Sequence, residues 1–427
     1  MVNCNPILIE IHITMAKRHH RMGKPIMKRI LIILTIGTLL VSTMNFGRAR
    51  AESLTVFKDI SKHWAEASIN QAVQRNLVEG YPDGTFKPDA NVTRAEFIKM
   101  VITALGIVQG PTNPGRHWYD NYVNAAADNF FYKNEFANSF NTAITRQEMS
   151  LIALRVISEE IRNDNDFKAN KIMYESTRLG LIKGLDNTGT LGVDQNTTRA
   201  QSITIIERIL NLKAGKILAV DKHAVNRAEV LWHGTNAFSM MEYSIGKDDP
   251  RWEQIEATLK TFNPANMIIE TPAGFPKVKK VIDAILWIDL DDPQDPNRHL
   301  IPEDAKIFPY AEGVKKLFYL HDYKNVFAIV SQGRELVNED KKNYPANDKV
   351  FIYINSGVEI DFSRMAKGDI KGQGTLSLYY DHIGEANDSM VISKDFKYFP
   401  TIKSRIIVKP PTKDFQKGIF ELALWNN

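Results

Sequence analysis

The chain is nearly without cysteine. Its 427 residues include one, Cys4, and that one falls in a segment that reads as a removable leader. The remainder therefore excludes disulfides, thiol catalysis and Cys-ligated zinc. Long hydrophobic runs are missing too. The stretch Ile30–Val41 follows Lys24, Lys28 and Arg29 and precedes Ala49-Arg50-Ala51. Twelve residues is short for a membrane span, whereas a basic start, an apolar middle and an A-x-A site suit an export signal. Residues 1–51 are expected to be removed before Glu52, with a retained membrane anchor as the alternative. Translation is expected to begin at Met22 or Met27, so that Met1–Arg21 would be an over-long reading of the gene.

Removing the leader also removes the excess of positive charge. The whole chain has 54 basic and 50 acidic residues; residues 1–51 hold 8 and 1 of these, leaving 46 against 49. The basic balance belongs to the leader and is no argument for nucleic acid. No His-Glu-x-x-His, Gly-x-Ser-x-Gly or P-loop occurs in residues 214–427.

What the sequence has is a repeat. Thr93-Arg94-Ala95-Glu96 recurs as Thr145-Arg146-Gln147-Glu148 and as Thr198-Arg199-Ala200-Gln201, at spacings of 52 and 53 residues. Each copy is Thr-x-x-Glu/Gln ahead of an apolar run, such as Phe97, Ile98, Val101, Ile102 and Leu105. That is a capping box opening a helix with one buried face. The arginine is less expected, because a cation in the first turn faces the positive end of the helix dipole. Beside free helical N–H groups, however, a guanidinium makes a site for carboxylate or phosphate. Arg94, Arg146 and Arg199 are thus candidate anion ligands, and a salt bridge between repeats is the structural alternative.

The first unit runs from Phe57 and Asp59 through His63-Trp64 into a helix carrying Ala67, Ile69, Ala72, Val73 and Leu77. Gly80 reads as a left-handed cap of that helix. Tyr81-Pro82-Asp83-Gly84 is turn chemistry, Thr85–Pro88 is extended, and Thr93 starts the second helix. The third unit repeats the middle as Leu181-Ile182-Lys183-Gly184. The second is looser: Trp118-Tyr119-Asp120 aligns with Phe57-Lys58-Asp59, and the Gly-Tyr-Pro-Asp-Gly turn is lacking.

Phe-x-Asp, a Trp-led helix, Leu-Val-x-Gly-Tyr-Pro-Asp-Gly-Thr-Phe-x-Pro and Thr-Arg-Ala-Glu together resemble the S-layer homology domain. The resemblance covers residues 55–213 as three repeats, 55–108, 114–160 and 166–213. It implies an all-α, three-pronged spindle with pseudo-threefold symmetry. It implies binding of the secondary polysaccharide of Gram-positive cell walls, often through an acidic, pyruvylated sugar. The site residues it implies are Arg94, Arg146, Arg199, Asp59, Asp120, Trp64 and Gly80, lining grooves between prongs. Trp64 also suits sugar stacking. Gln201 in place of Glu, and the missing turn in the second repeat, leave one or two of the three grooves competent.

Residues 214–222 read as a linker, and residues 223–427 as an α+β or β-rich domain with an antiparallel sheet. Strand-like runs are Val281–Leu290, Lys316–Leu320, Val326–Val330, Val350–Ile354, Thr375–Tyr380, Ser404–Val408 and Ile419–Leu424; Trp252–Phe262 reads as a helix. His223, His233, His299, His321 and His382 are scattered and read as ordinary surface or core histidines. Asp289, Asp291 and Asp295 form an acidic loop that is a weak candidate for Ca²⁺; no other cofactor is expected. Two readings of the whole remain. One is an exported, wall-anchored protein displaying a structural or interaction domain, with self-assembly into a surface layer as a further outcome. The other is an anchored hydrolase using a carboxylate pair drawn from Asp283, Asp289 and Glu359. Nucleic acid, and membrane after cleavage, are not expected partners.

Overall fold

The structure is a computed structural model. It describes residues 57–110, 115–137, 139–165, 167–246, 248, 252–253, 268–270, 276–307, 318–339, 341, 350–355, 376–379, 389–394 and 403–408. The leader, Glu359, His382, the run Ile419–Leu424 and most of Trp252–Phe262 lie outside the described residues. All described residues fall in one compact unit, Val56–Asn427. Among them no helix is long and apolar enough to cross a membrane.

Three helix pairs come first: α1 (Glu66–Gln74) with α2 (Arg94–Ala104), α3 (Asp120–Asp128) with α4 (Arg146–Ile157), and α6 (Ala169–Arg178) with α7 (Arg199–Lys213). A short α5 (Glu159–Asn163) follows α4. Each expected capping box is present. Thr93, Thr145 and Thr198 accept from the backbone of Glu96, Glu148 and Gln201, whose side chains accept in return from the threonine N–H.

The residue before each of these threonines joins a ring. The Val92 N–H donates to Thr197 O, Ile144 N–H to Val92 O, and Thr197 N–H to Ile144 O, each at 2.9 Å. Three segments at near-equal spacing in the sequence thus satisfy one another's backbone groups and leave none orphaned in the core. Val92, Ile144 and Thr197 are fully buried there.

Two expectations about the repeats change. Gly80 is not in the left-handed region; Asn76, with φ 54°, takes that position after α1. Asn is a residue that tolerates it. Gly80 is required for space instead, since a Cβ there would lie 2.0 Å from the Phe57 ring. The alignment of the second repeat also shifts. Trp118 lies two residues before α3 as Trp64 lies two before α1, so His117-Trp118 matches His63-Trp64, and Asp120 matches Glu66 rather than Asp59. Asp120 accepts from the His117 N–H (3.0 Å), as Glu66 accepts from that of Lys62 (2.9 Å).

Beyond α7, residues 218–224 run across the turn of the third repeat into α8 (Lys222–His233). A Cβ on Gly189, at φ +74°, would lie 2.3 Å from Ala224 N, so the helix start rests directly on that glycine. Tyr174 and Trp232 meet at 4.8 Å between ring centres, and Asn170 donates to Trp232 O (2.7 Å). The α8–α9 turn, ahead of α9 (Ala237–Ile245), then joins a strand. Asn236 exchanges two hydrogen bonds with the backbone of Trp287, at 2.7 and 2.8 Å.

The strands are β1 (Ile268–Glu270), β2 (Val278–Asp289), β3 (Lys306–Ile307), β4 (Phe318–Tyr319), β5 (Val326–Asn338), β6 (Val350–Asn355), β7 (Leu376–Tyr379), β8 (Ser389–Ser393) and β9 (Lys403–Val408). Among the described residues they form an antiparallel sheet ordered β1-β2-β5-β8-β7-β3-β4 and a separate β6–β9 pair. Both faces of the β2–β5 centre are buried. Ile285, Trp287, Phe327 and Ile329 join the helical core; Ala284, Leu286, Ile288, Ala328 and Val330 form a second cluster. A bulge between Ile282 and Ala284 shifts the alternation, which brings Ile282 onto the helical face.

Candidate functional site

The three arginines begin their helices at equivalent positions and do different things. Arg199 donates from Nε to Phe86 O and from Nη2 to Glu79 O, both at 3.0 Å. Its guanidinium lies over the rings of Phe86 (4.6 Å) and Tyr81 (5.1 Å). Its partners are carbonyls and rings, and among the described residues no carboxylate pairs with it. Arg146 makes the same two bonds in the third repeat, to Leu191 O and Lys183 O at 2.8 Å. It is buried, and burial, with Arg208 nearby, lowers its pKa to about 10, so it stays charged at neutral pH. Arg94 differs. It forms a two-pronged pair with Glu148, the capping carboxylate of the second repeat, and also donates to Ser139 O at 3.2 Å.

Around Arg199 the structure opens a cleft of about 430 Å³, lined by Asn76–Tyr81, Glu96, Lys99, Met100, Thr103, Trp118 and Arg199. Three repeats contribute to it: the loop after α1, the exposed side of α2, Trp118 of the second repeat and Arg199 of the third. The Lys99 ammonium lies 5.8 Å from the Trp118 ring centre, and that ring is 51% exposed. Two cations, a half-exposed indole and Gly80, whose N–H has no acceptor among the described residues, line one opening. Glu96 also lines the cleft, and one of its oxygens accepts from the Thr93 N–H and hydroxyl at 2.7 and 2.9 Å. Such a set suits a polar, anionic ligand with a flat apolar face, as sugars have.

Of the seven residues read from the sequence, the cleft contains Gly80 and Arg199. Asp59 is elsewhere, accepting from the N–H groups of Phe86 (2.8 Å) and Lys87 (2.7 Å). Partial burial opposes its ionisation, yet those amides hold its carboxyl below the usual range. Trp64 is 64% exposed and stands by His63, outside the cleft-lining set. Sequence reasoning missed Lys99, and it aligned Trp118 with the core residue Phe57 rather than with Trp64. The second was discoverable, because the dipeptide His-Trp occurs twice, at His63 and His117.

The acidic loop after β2 is engaged by protein cations. Lys394 Nζ sits between Asp289 and Asp291, 2.7 Å from the latter, where a bound cation would have to sit. Asp295 accepts from the backbone of Asp289 (2.8 Å) and Asn297 (2.9 Å). Among the described residues no group of three or more His, Cys, Asp or Glu side chains is arranged to hold a metal. Asp283 pairs with Arg334 at 3.3 Å.

Comparison with known proteins bears on the repeats. The profile of the S-layer homology domain matches residues 56–98. The chain carries an S-layer homology domain. Cell surface glycoprotein 1 of Acetivibrio thermocellus is 48% identical over 61 residues, 14% of this chain and 3% of that protein. The cellulosome-anchoring protein of the same organism is 30% identical over 117 residues, 25% and 26% of the two chains. The amylopullulanase of Thermoanaerobacterium thermosulfurigenes is 30% identical over 204 residues, 42% of this chain and 11% of the enzyme. The chain thus spans about a tenth of that relative's length. An S-layer homology domain shared with such relatives places this protein at the cell surface or cell wall.

Proposed function

We propose that residues 55–213 form a pseudo-threefold, three-pronged S-layer homology unit that holds the chain non-covalently on a secondary cell-wall polysaccharide. The ring of hydrogen bonds among Val92, Ile144 and Thr197 supports the threefold reading. The observation that carries the binding reading is the cleft at Arg199. There, among the described residues, a partly exposed repeat arginine has no carboxylate partner and stands beside Lys99 and Trp118. An acidic sugar, such as a pyruvylated one, would place its carboxylate against Arg199 and Lys99 and its ring face on Trp118. The rest of the chain is then presented outward from the wall.

A second reading, an anchored glycan hydrolase, is favoured by relatives named for such enzymes, the amylopullulanase among them. The described acids of the sheet half lend it little: Asp283 pairs with Arg334 and Asp289 with Lys394.

The experiment is co-sedimentation of the full chain with intact walls and with walls stripped of their secondary polymer. Binding to intact walls only is the expected result. Equal binding to both would contradict the polysaccharide reading.

A further inference from the structure

The first and third repeats present the same turn to their arginines. In the first, Arg199 bonds Glu79 O and Phe86 O, and the Tyr81 N–H donates to Thr85 O (2.8 Å). In the third, Arg146 bonds Lys183 O and Leu191 O, and the Leu185 N–H donates to Thr190 O (2.8 Å). Gly80 and Gly184 occupy the same place between these bonds. Their amides have different fates. No acceptor among the described residues takes the Gly80 N–H, and Gly80 lines the open cleft. The Gly184 N–H donates to Asp221 Oδ2 at 3.0 Å.

Asp221 comes from outside the repeats. Its other oxygen accepts from His223 N (3.1 Å) and Ala224 N (3.2 Å), which makes it the N-cap of α8. That role needs one oxygen and no contact with Gly184. The start of α8 is pressed onto the third repeat from both sides of this bond. Leu218 and Ala219 reach Gly180, Ala224 rests on Gly189, and the His223 ring meets Asn187 O at 2.6 Å.

We propose that Asp221 closes the third groove: from within the chain, its carboxylate takes the glycine amide whose counterpart in the first groove is left to the ligand. With Arg94 already neutralised by Glu148 in the second repeat, the molecule offers one open groove, and its anchor is monovalent. This inference rests on the polysaccharide reading given above. It fits the chain's build. A carboxylate tethered a few residues after α7 has an effective concentration far above that of a soluble sugar, so the groove stays closed in the presence of wall polymer.

The test is titration calorimetry of the full chain with a soluble, repeat-sized fragment of the released wall polymer. The wild type is expected to bind at one site, Arg199→Ala at none, Asp221→Ser at two, and the double variant at one. Serine keeps a cap acceptor for α8 but cannot reach Gly184. Should that variant fail to fold, Asp221→Asn keeps the cap oxygen and sets a donor against the Gly184 amide. One site in both Asp221 variants, or a site surviving in Arg199→Ala, would overturn the inference while the polysaccharide reading stands. No binding by the wild type would remove that reading and the inference with it.

Discussion

The first and second repeats begin their second helices with the same Thr-Arg-x-Glu, yet they leave different chemistry at the surface. In the second repeat Glu148 serves twice, capping Thr145 and pairing with Arg94. Around Arg199, the turn after α1 supplies carbonyl oxygens in place of a carboxylate. The second repeat lacks that turn, and its segment between α3 and α4 brings Phe136 beneath Arg94 instead. A motif residue is therefore a ligand only where its neighbours satisfy its hydrogen bonds without cancelling its charge. The third repeat extends the contrast, since Arg146 has the carbonyls of Lys183 and Leu191 but is buried.

The three arginines should differ most in stability. Arg146→Ala leaves two carbonyls without their charged donor and opens a cavity, and should cost about 3 kcal/mol in urea unfolding. Arg199→Ala, at a side chain only partly buried, should cost less, about 1 kcal/mol in the same measurement. Gly80→Ala drives a methyl into the Phe57 ring and should destabilise by about 1–3 kcal/mol; a neutral result would mean that the turn relaxes freely. Binding gives the next contrast. Arg199→Ala should weaken wall attachment at least about tenfold, or 1.4 kcal/mol, whereas Arg94→Ala should leave it within about twofold.

A smaller effect tests the shared element. Thr93→Ala, Thr145→Ala and Thr198→Ala should each lower stability by about 1 kcal/mol. Unequal losses would show that the ring beside these caps is not equally built.

Helix α8 carries a buried pair that should make stability depend on pH. Burial pushes the Glu229 carboxyl up to about 8, against hydrogen bonds from Ser239 and Phe238, and pushes His233, 3.7 Å away, down to about 3. Glu229 binds its proton more tightly in the folded state. Its contribution is fully present below its unfolded value near 4.5 and is lost as pH rises toward 8. His233 resists protonation when folded, so its contribution is present above 6.5 and is lost as pH falls toward 3. Stability should therefore decline on both sides of mildly acidic pH, and Glu229→Gln should remove the alkaline limb. A limb unchanged in that variant would assign the decline to other groups.

Much of the repeat half was legible because its signals are local. Thr-x-x-Glu/Gln acts over three residues, and each instance became a capping box. The strand runs Val281–Leu290 and Val326–Val330 were legible from their apolar residues and pair in the sheet. The extension of β5 to Asn338 was not, because Gly333, Arg334 and Glu335 are exposed and carry no apolar alternation. The candidate site was harder to see. Gly80 was recognised, but for a backbone conformation it does not adopt; its need arises from Phe57, which lies 23 positions earlier. Asp221 and Gly184 are joined across 37 positions by one hydrogen bond, and nothing in either residue's surroundings announces the other.

If Arg199 is the repeat arginine that faces the ligand, the dissociation constants of the full chain and of its Arg199→Ala and Arg94→Ala variants for released wall polysaccharide will separate the two arginines. Affinity should be lost in Arg199→Ala and stay near wild type in Arg94→Ala. Equal losses in the two variants, or a loss in Arg94→Ala alone, would contradict that role of Arg199.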